Sequence, residues 1–146
     1  MTDSASADGA RSERVLEVRV AARLENLAVV RTLIGAVGTF EDLDLDAVAD
    51  LRLAVDEACT RLIRSASPDA SLILVFDPRP NEVVVDVATT AVSSDVGDIL
   101  TPGSFSWHVL TSLTDDVRTF HNGVDIDGAA SAFGISMTTR RVSPSR

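Results

Sequence analysis

The sequence predicts an α+β fold, a two-layer sandwich in which helices cover one face of a mixed, mostly antiparallel sheet. Helix-like and strand-like patterns follow one another in the order β-α-α-β-β-α-β-β, with short connections between the paired strands. Helices and strands that arrive in blocks are typical of α+β folds, whereas doubly wound folds alternate strand and helix. The chain has 146 residues, 45% of them hydrophobic, which suits one domain with a buried core.

The ends of the chain differ in composition from its middle. The first 13 residues are rich in Ser, Ala, Asp and Gly, so we expect disordered tails over 1–13 and 143–146 and one domain over 14–142. No apolar run reaches the roughly 18–20 residues that span a bilayer, and the N-terminus lacks the apolar segment of a secretory signal. The single cysteine, Cys59, provides no disulfide framework, so we expect a cytoplasmic protein.

The net charge of the chain indicates which classes of binding partner are favoured. The net charge is −9, and all 13 basic residues are arginines. An acidic surface disfavours nucleic acids and anionic membranes and favours basic partners. His108 and His121 have no histidine or cysteine at ligand spacing, so no metal site is predicted.

The first two elements are a strand and a helix. Alternation over 15–20 predicts a strand whose inward face begins at Val15 or Leu16. A helical spacing then predicts a helix over about 23–37, which we expect to end at Gly38. The positions that mark this helix are Leu24, Leu27, Val30 or Arg31, and Ile34.

The strongest helical pattern covers residues 45–67. Asp44 or Asp46 is placed to cap its start, and Pro68 is expected to stop it. From the pattern alone, Glu57 and Arg61 form an i,i+4 surface pair. The apolar stripe consists of Val48, Leu51, Val55, Ala58 and Leu62, and the charged row of Asp50, Glu57, Arg61 and Arg64.

The second half of the chain contains four strands and one helix. Two prolines place a turn at 77–81, and the absence of a clear period over 89–102 predicts a surface loop long enough to act as a lid. Trp107, Leu110 and Leu113 are spaced to face the sheet from a helix. The predicted ranges are 71–76 and 82–87 for one strand pair, 104–116 for the helix, and 117–122 and 132–141 for the closing strands.

The central helix contains a motif that resembles a known family. Residues 54–60, A-V-D-E-A-C-T, resemble the N-box of the GHKL (Bergerat-like) ATPase and histidine-kinase-like superfamily, and within it the RsbW-type anti-sigma factor and serine-kinase family. Residues 23–31, 112–117 and 134–138 are similar to its first helix, its S-L-M-D-E-V segment and its closing strand, so the resemblance covers about 14–142. The chain looks most like the anti-sigma-F factors of actinobacteria.

The resemblance assigns roles within the N-box. In the family the Glu, here Glu57, is the general base, and the Asn four residues later helps to hold Mg²⁺ against ATP. Arg61 stands at that Asn position. A guanidinium has five donors and no acceptor, so it cannot coordinate a cation. Arg61 either contacts phosphate directly or neutralises Glu57.

The two other family motifs are altered. Asp86 stands where the family's Asp takes the adenine amino group, but Ala88 and Thr90 replace the glycines that follow it. The glycines of the third motif are replaced as well, with Gly103 in front as a partial compensation, and amides at that helix start can still cradle an anion. The candidate nucleotide contacts are therefore Asp86, Arg61, Gly103, Ser104 and Ser106. The resemblance implies ATP or ADP with Mg²⁺, bound weakly or not at all.

Two functions follow from the resemblance. The first is an anti-sigma factor that sequesters an alternative sigma factor and is released by an anti-anti-sigma protein of the STAS type; its partner surface would include Arg31, Glu25 and Arg23. The second is an active Mg-ATP-dependent serine/threonine kinase of that antagonist, with Glu57 as base. The family also implies a homodimer. The same residues are open to plainer interpretations: solvated charges on a helix for Arg31, Glu25 and Arg23, and an unrelated two-layer domain for the whole chain.

Overall fold

The computed structural model describes residues 13–91, 100–124 and 131–142. The predicted tails, apart from Glu13, and most of the predicted lid lie outside these residues. The elements are β1 (Leu16–Ala21), a 3₁₀ turn (Leu24–Asn26), α1 (Leu27–Phe40), α2 (Leu45–Ser65), β2 (Ser71–Pro78), β3 (Glu82–Ala91), α3 (Phe105–Leu113), β4 (Asp116–Val124) and β5 (Ser131–Arg140).

The five strands form one sheet in the order β1-β2-β3-β5-β4, and the helices form the second layer. This arrangement confirms the α+β sandwich and the element order. The four strand pairings are all antiparallel within the described residues, so the sheet is more regular than the mixed one expected. β5 lies between β3 and β4, which makes β4 an edge strand.

Helix α2 lies at the centre of the helical layer and contacts α1, α3 and strands β2, β3 and β5. Asp44 is its cap: the backbone N–H of Ala47 donates to Asp44 Oδ1 at 2.7 Å. The helix ends at Ser65, two residues before the expected end, because Ala66 already has an extended backbone. All five predicted stripe residues are buried, together with Ala54 and Cys59.

Helix α1 continues past Gly38, where the sequence predicted its end, to Phe40. Asp42 takes the left-handed conformation instead (φ 61°), and the N–H groups of Asp42 and Leu43 donate to the carbonyls of Thr39 and Gly38. These two bonds close the helix in a Schellman arrangement, with Leu43 buried behind it. Gly38 serves close packing, because an added Cβ would lie 3.1 Å from Val48 Cγ2.

Several other boundaries differ from the prediction. Strand β2 includes Pro78, and β3 runs through Thr89 and Thr90, which were assigned to the loop. The third helix begins at Phe105 and ends at Leu113, because the backbone of Thr114 is extended. Asp115 then accepts the backbone N–H of Arg140 at 2.6 Å, which draws the chain into the sheet, and Asp116 begins β4.

A buried ion pair fastens the end of the sheet to the helical layer. Arg141 donates to the carboxylate of Glu41 at 2.8 Å and to the carbonyl of Glu41 at 2.6 Å. Its Nε also donates to the carbonyl of Arg79 in the β2–β3 turn. The side chains of Arg141 and Glu41 are only 4% and 6% exposed. One guanidinium therefore joins the α1–α2 connection, the hairpin and the C-terminal end of β5.

Candidate functional site

The candidate general base, Glu57, lies on α2 where α3 packs against it. The hydroxyl of Ser106 donates a hydrogen bond to Glu57 Oε2 at 2.6 Å, and Ser106 is buried. A hydrogen bond this short between a hydroxyl and a carboxylate is a strong, charge-assisted one. One carboxylate oxygen of Glu57 is therefore held by the protein itself.

The residues before Ser106 explain how it reaches Glu57. Gly103 has a φ of +90°, which turns the chain into α3, and the Ser104 hydroxyl accepts the N–H of Trp107 at 3.1 Å as the helix cap. No atom of the described residues lies within 4 Å of a Cβ added at Gly103, so this glycine is needed for its backbone conformation rather than for a close approach. Ser104 already occupies one of the amide groups that would cradle an anion.

Arg61 follows Glu57 by one helical turn and is half-buried. Its guanidinium offers no lone pair to a cation. Within the described ranges, no group of three or more His, Cys, Asp or Glu side chains is placed to hold a metal ion. Arg61 therefore cannot supply the metal ligand that the resemblance places at this position.

Asp86 lies on the other side of the sheet from Glu57. Val83, Val85 and Val87 are fully buried in the core between sheet and helices, so the alternation of β3 directs Asp86 to the outer face. There it is flanked by Val75 and Ser136 on the neighbouring strands, and its Oδ1 is buried without a hydrogen-bond partner in the described part of the chain. The structure therefore does not bring Asp86 and Glu57 into one site. Counting along β3 in steps of two would have indicated this from the sequence.

The residue of β3 that does face the helices near the strand's end is Thr89. It is 2% exposed, and its hydroxyl donates to the carbonyl of Ser71 at 2.7 Å. Thr89 has no carboxylate with which to accept an adenine amino group. The position that the alternation makes available for base recognition thus carries a hydroxyl already engaged with the neighbouring strand.

A different arrangement surrounds Arg31 on α1. Its guanidinium donates to Asp56 Oδ1 on α2 at 2.7 and 3.3 Å, and both side chains are partly exposed. Between the helices lies a groove of about 280 Å³, lined by Arg31, Ala49, Arg52, Leu53 and Asp56. Leu53 is 59% exposed. We call these five residues the α1–α2 groove. Asp56 was missed by the sequence reasoning because the pairing joins residues 25 positions apart, with no local signal.

The two other candidate partner residues lie away from this groove. Glu25 is exposed in the 3₁₀ turn, and Arg23 precedes that turn. Arg23 lines a separate open cleft of about 720 Å³, together with Arg19 and the connection from α2 to β2. The three predicted partner residues therefore do not form one described cluster.

Cys59 lies in the core next to this region. Burial raises the pKa of its thiol from the ordinary 9.0 to about 12, and the negative charge of Asp56 adds to the increase. A thiol with such a pKa is inert near neutral pH. Cys59 is therefore a packing residue.

Among the described residues, no helix combines the length and the apolar character needed to span a membrane.

The comparison with known proteins agrees with this fold. The sequence profile of the histidine kinase-like ATPase domain matches residues 20–125. The chain is 65% identical to the anti-sigma-F factor RsbW of Mycobacterium tuberculosis over 136 residues, which are 93% of this chain and 79% of that protein. It is 22% identical over 124 residues to the serine-protein kinases RsbW of Bacillus thuringiensis and Bacillus cereus, covering 73% of this chain and 78% of theirs. The chain therefore belongs to the histidine kinase-like ATPase domain family, and within it to the RsbW proteins.

Proposed function

We propose that this protein is an anti-sigma factor, which binds an alternative sigma factor, keeps it from RNA polymerase and releases it to an anti-anti-sigma protein of the STAS type. The observation that carries the proposal is the 65% identity, over 93% of the chain, to a protein named an anti-sigma-F factor. Such a protein would regulate transcription by exchanging partners, as in a stress response. The net charge of −9 suits a partner with basic segments.

The surroundings of Glu57 support binding rather than phosphoryl transfer. Phosphoryl transfer depends on a metal and on groups that position the phosphates closely. Here Ser106 holds the candidate base, Arg61 replaces a metal ligand, and Asp86 faces away. A fold of this kind retains its surfaces when the site for chemistry is altered.

The α1–α2 groove is the surface that we assign to the sigma factor. It combines an exposed leucine with a guanidinium and a carboxylate, and interfaces depend most on a central apolar or arginine anchor with polar groups at its edge. Arg31 is held by Asp56, which limits the side-chain entropy that it would lose on binding. Glu25 and Arg23 lie away from this groove and would contribute a separate contact with the sigma factor.

The substitution Arg31→Glu tests the assignment, because it places two negative charges side by side in the groove. We expect the affinity for the purified sigma factor to fall at least tenfold in a titration, with a melting temperature within a few degrees of the parent. Arg118→Glu is the matched control: Arg118 pairs with Asp116 in the same manner, but on the edge strand β4, and it should bind normally. Unchanged affinity for Arg31→Glu would remove this residue from the interface.

The second candidate function is the kinase, favoured by the similarity to Bacillus proteins that are named serine-protein kinases. It is tested by melting curves with millimolar Mg-ATP, Mg-ADP and GTP. A ligand at 100 times its dissociation constant stabilises by about 2.7 kcal/mol, enough to move a melting curve by several degrees. We expect no shift. A clear shift, followed by transfer of labelled phosphate to the STAS protein that is lost in Glu57→Ala, would establish the kinase instead.

The oligomeric state belongs to the same proposal. The family resemblance implies a homodimer, and light scattering on the purified protein measures its mass directly. A mass near twice 15.5 kDa would support a dimer that presents two sigma-binding surfaces.

A further inference from the structure

We propose that a second surface, an acidic cleft where α2 begins and α3 ends, binds an arginine or lysine side chain from a segment of a protein partner. The cleft has a volume of about 420 Å³ and adjoins a smaller cavity of about 190 Å³ that shares part of its wall. It shares no residue with the α1–α2 groove. We call it the acidic cleft and define it by Asp44, Asp50, Asp115, Thr139 and Arg140.

The charges of the acidic cleft favour a cation. Asp44, Asp50 and Asp115 line it, and Asp42 lines the adjoining cavity. Arg140 is the lining residue whose positive charge offsets these carboxylates, since the guanidinium of Arg141 is bonded to Glu41. The excess of carboxylates over guanidinium groups makes this part of the surface negative.

Two of these carboxylates keep an oxygen that their internal hydrogen bonds do not use. Asp44 accepts the N–H of Ala47 with Oδ1, and Asp115 accepts the N–H of Arg140 with Oδ2. The remaining oxygens can each accept a donor from a ligand. Because these contacts also fix the two side chains, the acceptors are held in place before a ligand arrives.

A buried hydroxyl supplies an independent indication of a ligand. Thr139 is 7% exposed and lies in the wall of the cleft on the side of β5 that faces the helices. Its Oγ1 has no hydrogen-bond partner anywhere in residues 13–91, 100–124 and 131–142. A buried hydroxyl without a partner destabilises a protein, and a ligand donor would remove that cost. Thr139 thus brings a hydroxyl without a partner to the wall of the cleft.

The two helix ends beside the cleft have opposite effects on the binding of a cation, and the unfavourable one is already neutralised. The cleft lies beside the C-terminal end of α3, whose partial negative charge favours a cation. It also lies beside the N-terminal end of α2, whose partial positive charge is countered by Asp44 and Asp46 in the cap and first turn. The sum still favours a cation.

The spread of the carboxylates selects an organic cation over a metal ion. Within the described residues no three acidic or histidine side chains are close enough to hold one metal ion. A guanidinium carries five donors in a planar group and can reach several separate acceptors at once, and an ammonium carries three. A side chain on a peptide segment would bring such a group to the cleft while its backbone crosses the rim.

The test uses full-length protein labelled with ¹⁵N and three probes, so its outcome does not depend on the sigma-factor proposal. The probes are the tripeptide acetyl-Ala-Arg-Ala-amide, the same peptide with the neutral isostere citrulline, and spermidine. We expect the arginine peptide to shift the amide signals of residues 50, 112–115 and 139–142. The citrulline peptide should bind at least tenfold more weakly, and spermidine no more tightly than the arginine peptide.

Three variants locate the site. Asp50→Asn and Thr139→Val should each weaken the arginine peptide several-fold, and Thr139→Val should melt at the same or a higher temperature because its hydroxyl lacks a partner. Asp69→Asn makes the same charge change in the distant cleft that Arg19 and Arg23 line, and should bind like the parent. Shifts scattered over the whole acidic surface, equal binding of citrulline, or tighter binding of spermidine would each overturn the proposal.

Discussion

Ser106 Oγ lies 2.6 Å from Glu57 Oε2, and this hydrogen bond joins the first turn of α3 to the centre of α2. It links residues 49 positions apart and occupies one oxygen of the carboxylate that the N-box resemblance identifies as a base. A catalytic carboxylate must be within hydrogen-bond reach of the hydroxyl that it activates. In this protein the hydroxyl within that reach is one of its own, so the contact holds two helices together.

The Ser106→Ala variant should lose this stabilisation. A hydrogen bond to a charged group contributes about 1.5–3 kcal/mol, so we expect a melting temperature lower by several degrees. The single tryptophan, Trp107, adjoins Ser106 and reports the unfolding by fluorescence. Ser112→Ala is the control on the same helix, since the Ser112 hydroxyl is exposed and donates to the carbonyl of Val109 within α3 itself. Equal melting of both variants would show that the Glu57 contact adds nothing.

The buried Arg141–Glu41 pair should be sensitive to the loss of one partner. Arg141→Met leaves the buried Glu41 carboxylate with its second ion-pair partner, the half-exposed Arg14. We therefore expect a loss smaller than the roughly 3–5 kcal/mol of an uncompensated buried charge, measured by urea unfolding. Glu41→Met should be the more harmful variant, because it leaves the buried Arg141 guanidinium without its carboxylate, and the double variant should recover much of that loss. For comparison, Arg118→Met removes the exposed pair with Asp116 and should change the free energy of unfolding by less than about 1 kcal/mol. Additive losses in the double variant would contradict a coupled pair.

Two glycine substitutions should have opposite effects. A Cβ at Gly134 would overlap the ring of Phe120 and lie 2.5 Å from the carbonyl oxygen of Val87, so Gly134→Ala must move backbone and should destabilise by about 1–3 kcal/mol or more. At Gly35, within α1, the nearest atom would be the Arg52 Cδ at 3.5 Å, an ordinary contact. Gly35→Ala should stabilise by up to about 1 kcal/mol, because alanine favours the helix. Chemical unfolding measures both, and a stable Gly134→Ala would refute the close approach.

Alkaline unfolding should report on Cys59. Its pKa is about 12 when folded and near the ordinary 9.0 when unfolded, so above pH 9 the unfolded chain releases a proton that the folded chain keeps. Stability is therefore fully present below pH 9.0 and falls by about 1.4 kcal/mol per pH unit as the pH rises towards 12. The sequence contains no lysine or tyrosine to titrate in that window, which isolates the thiol. In Cys59→Ala the free energy of unfolding should be flat from pH 9 to 11; the same slope in both proteins would contradict a buried neutral thiol.

The fold could be predicted from the sequence because its determinants are local. The apolar stripe of α2 is visible at helical spacing, its cap is an acidic residue at the right place, and each strand is marked by branched apolar residues. The predictions that were wrong concern the ends of helices and strands. Gly38 was expected to stop α1, but the space beside Val48 required a glycine there, and Asp42 supplied the left-handed turn instead.

The candidate site could be predicted only in part. The sequence by itself determined that the N-box Glu is present and that Arg61 cannot serve a metal ion, because these conclusions follow from residue chemistry. The alternation of β3 also predicts the orientation of Asp86. Val83, Val85 and Val87 share one face of the strand, so Asp86 lies on the other.

Only the tertiary structure decided which distant side chains meet. Ser106 on Glu57, Arg31 on Asp56 and Arg141 on Glu41 join positions 49, 25 and 100 residues apart. The acidic cleft likewise combines the start of α2, the end of α3 and the end of β5. No spacing along the chain encodes such contacts, because they depend on how helices and sheet pack after each has formed, and packing is set by the whole core.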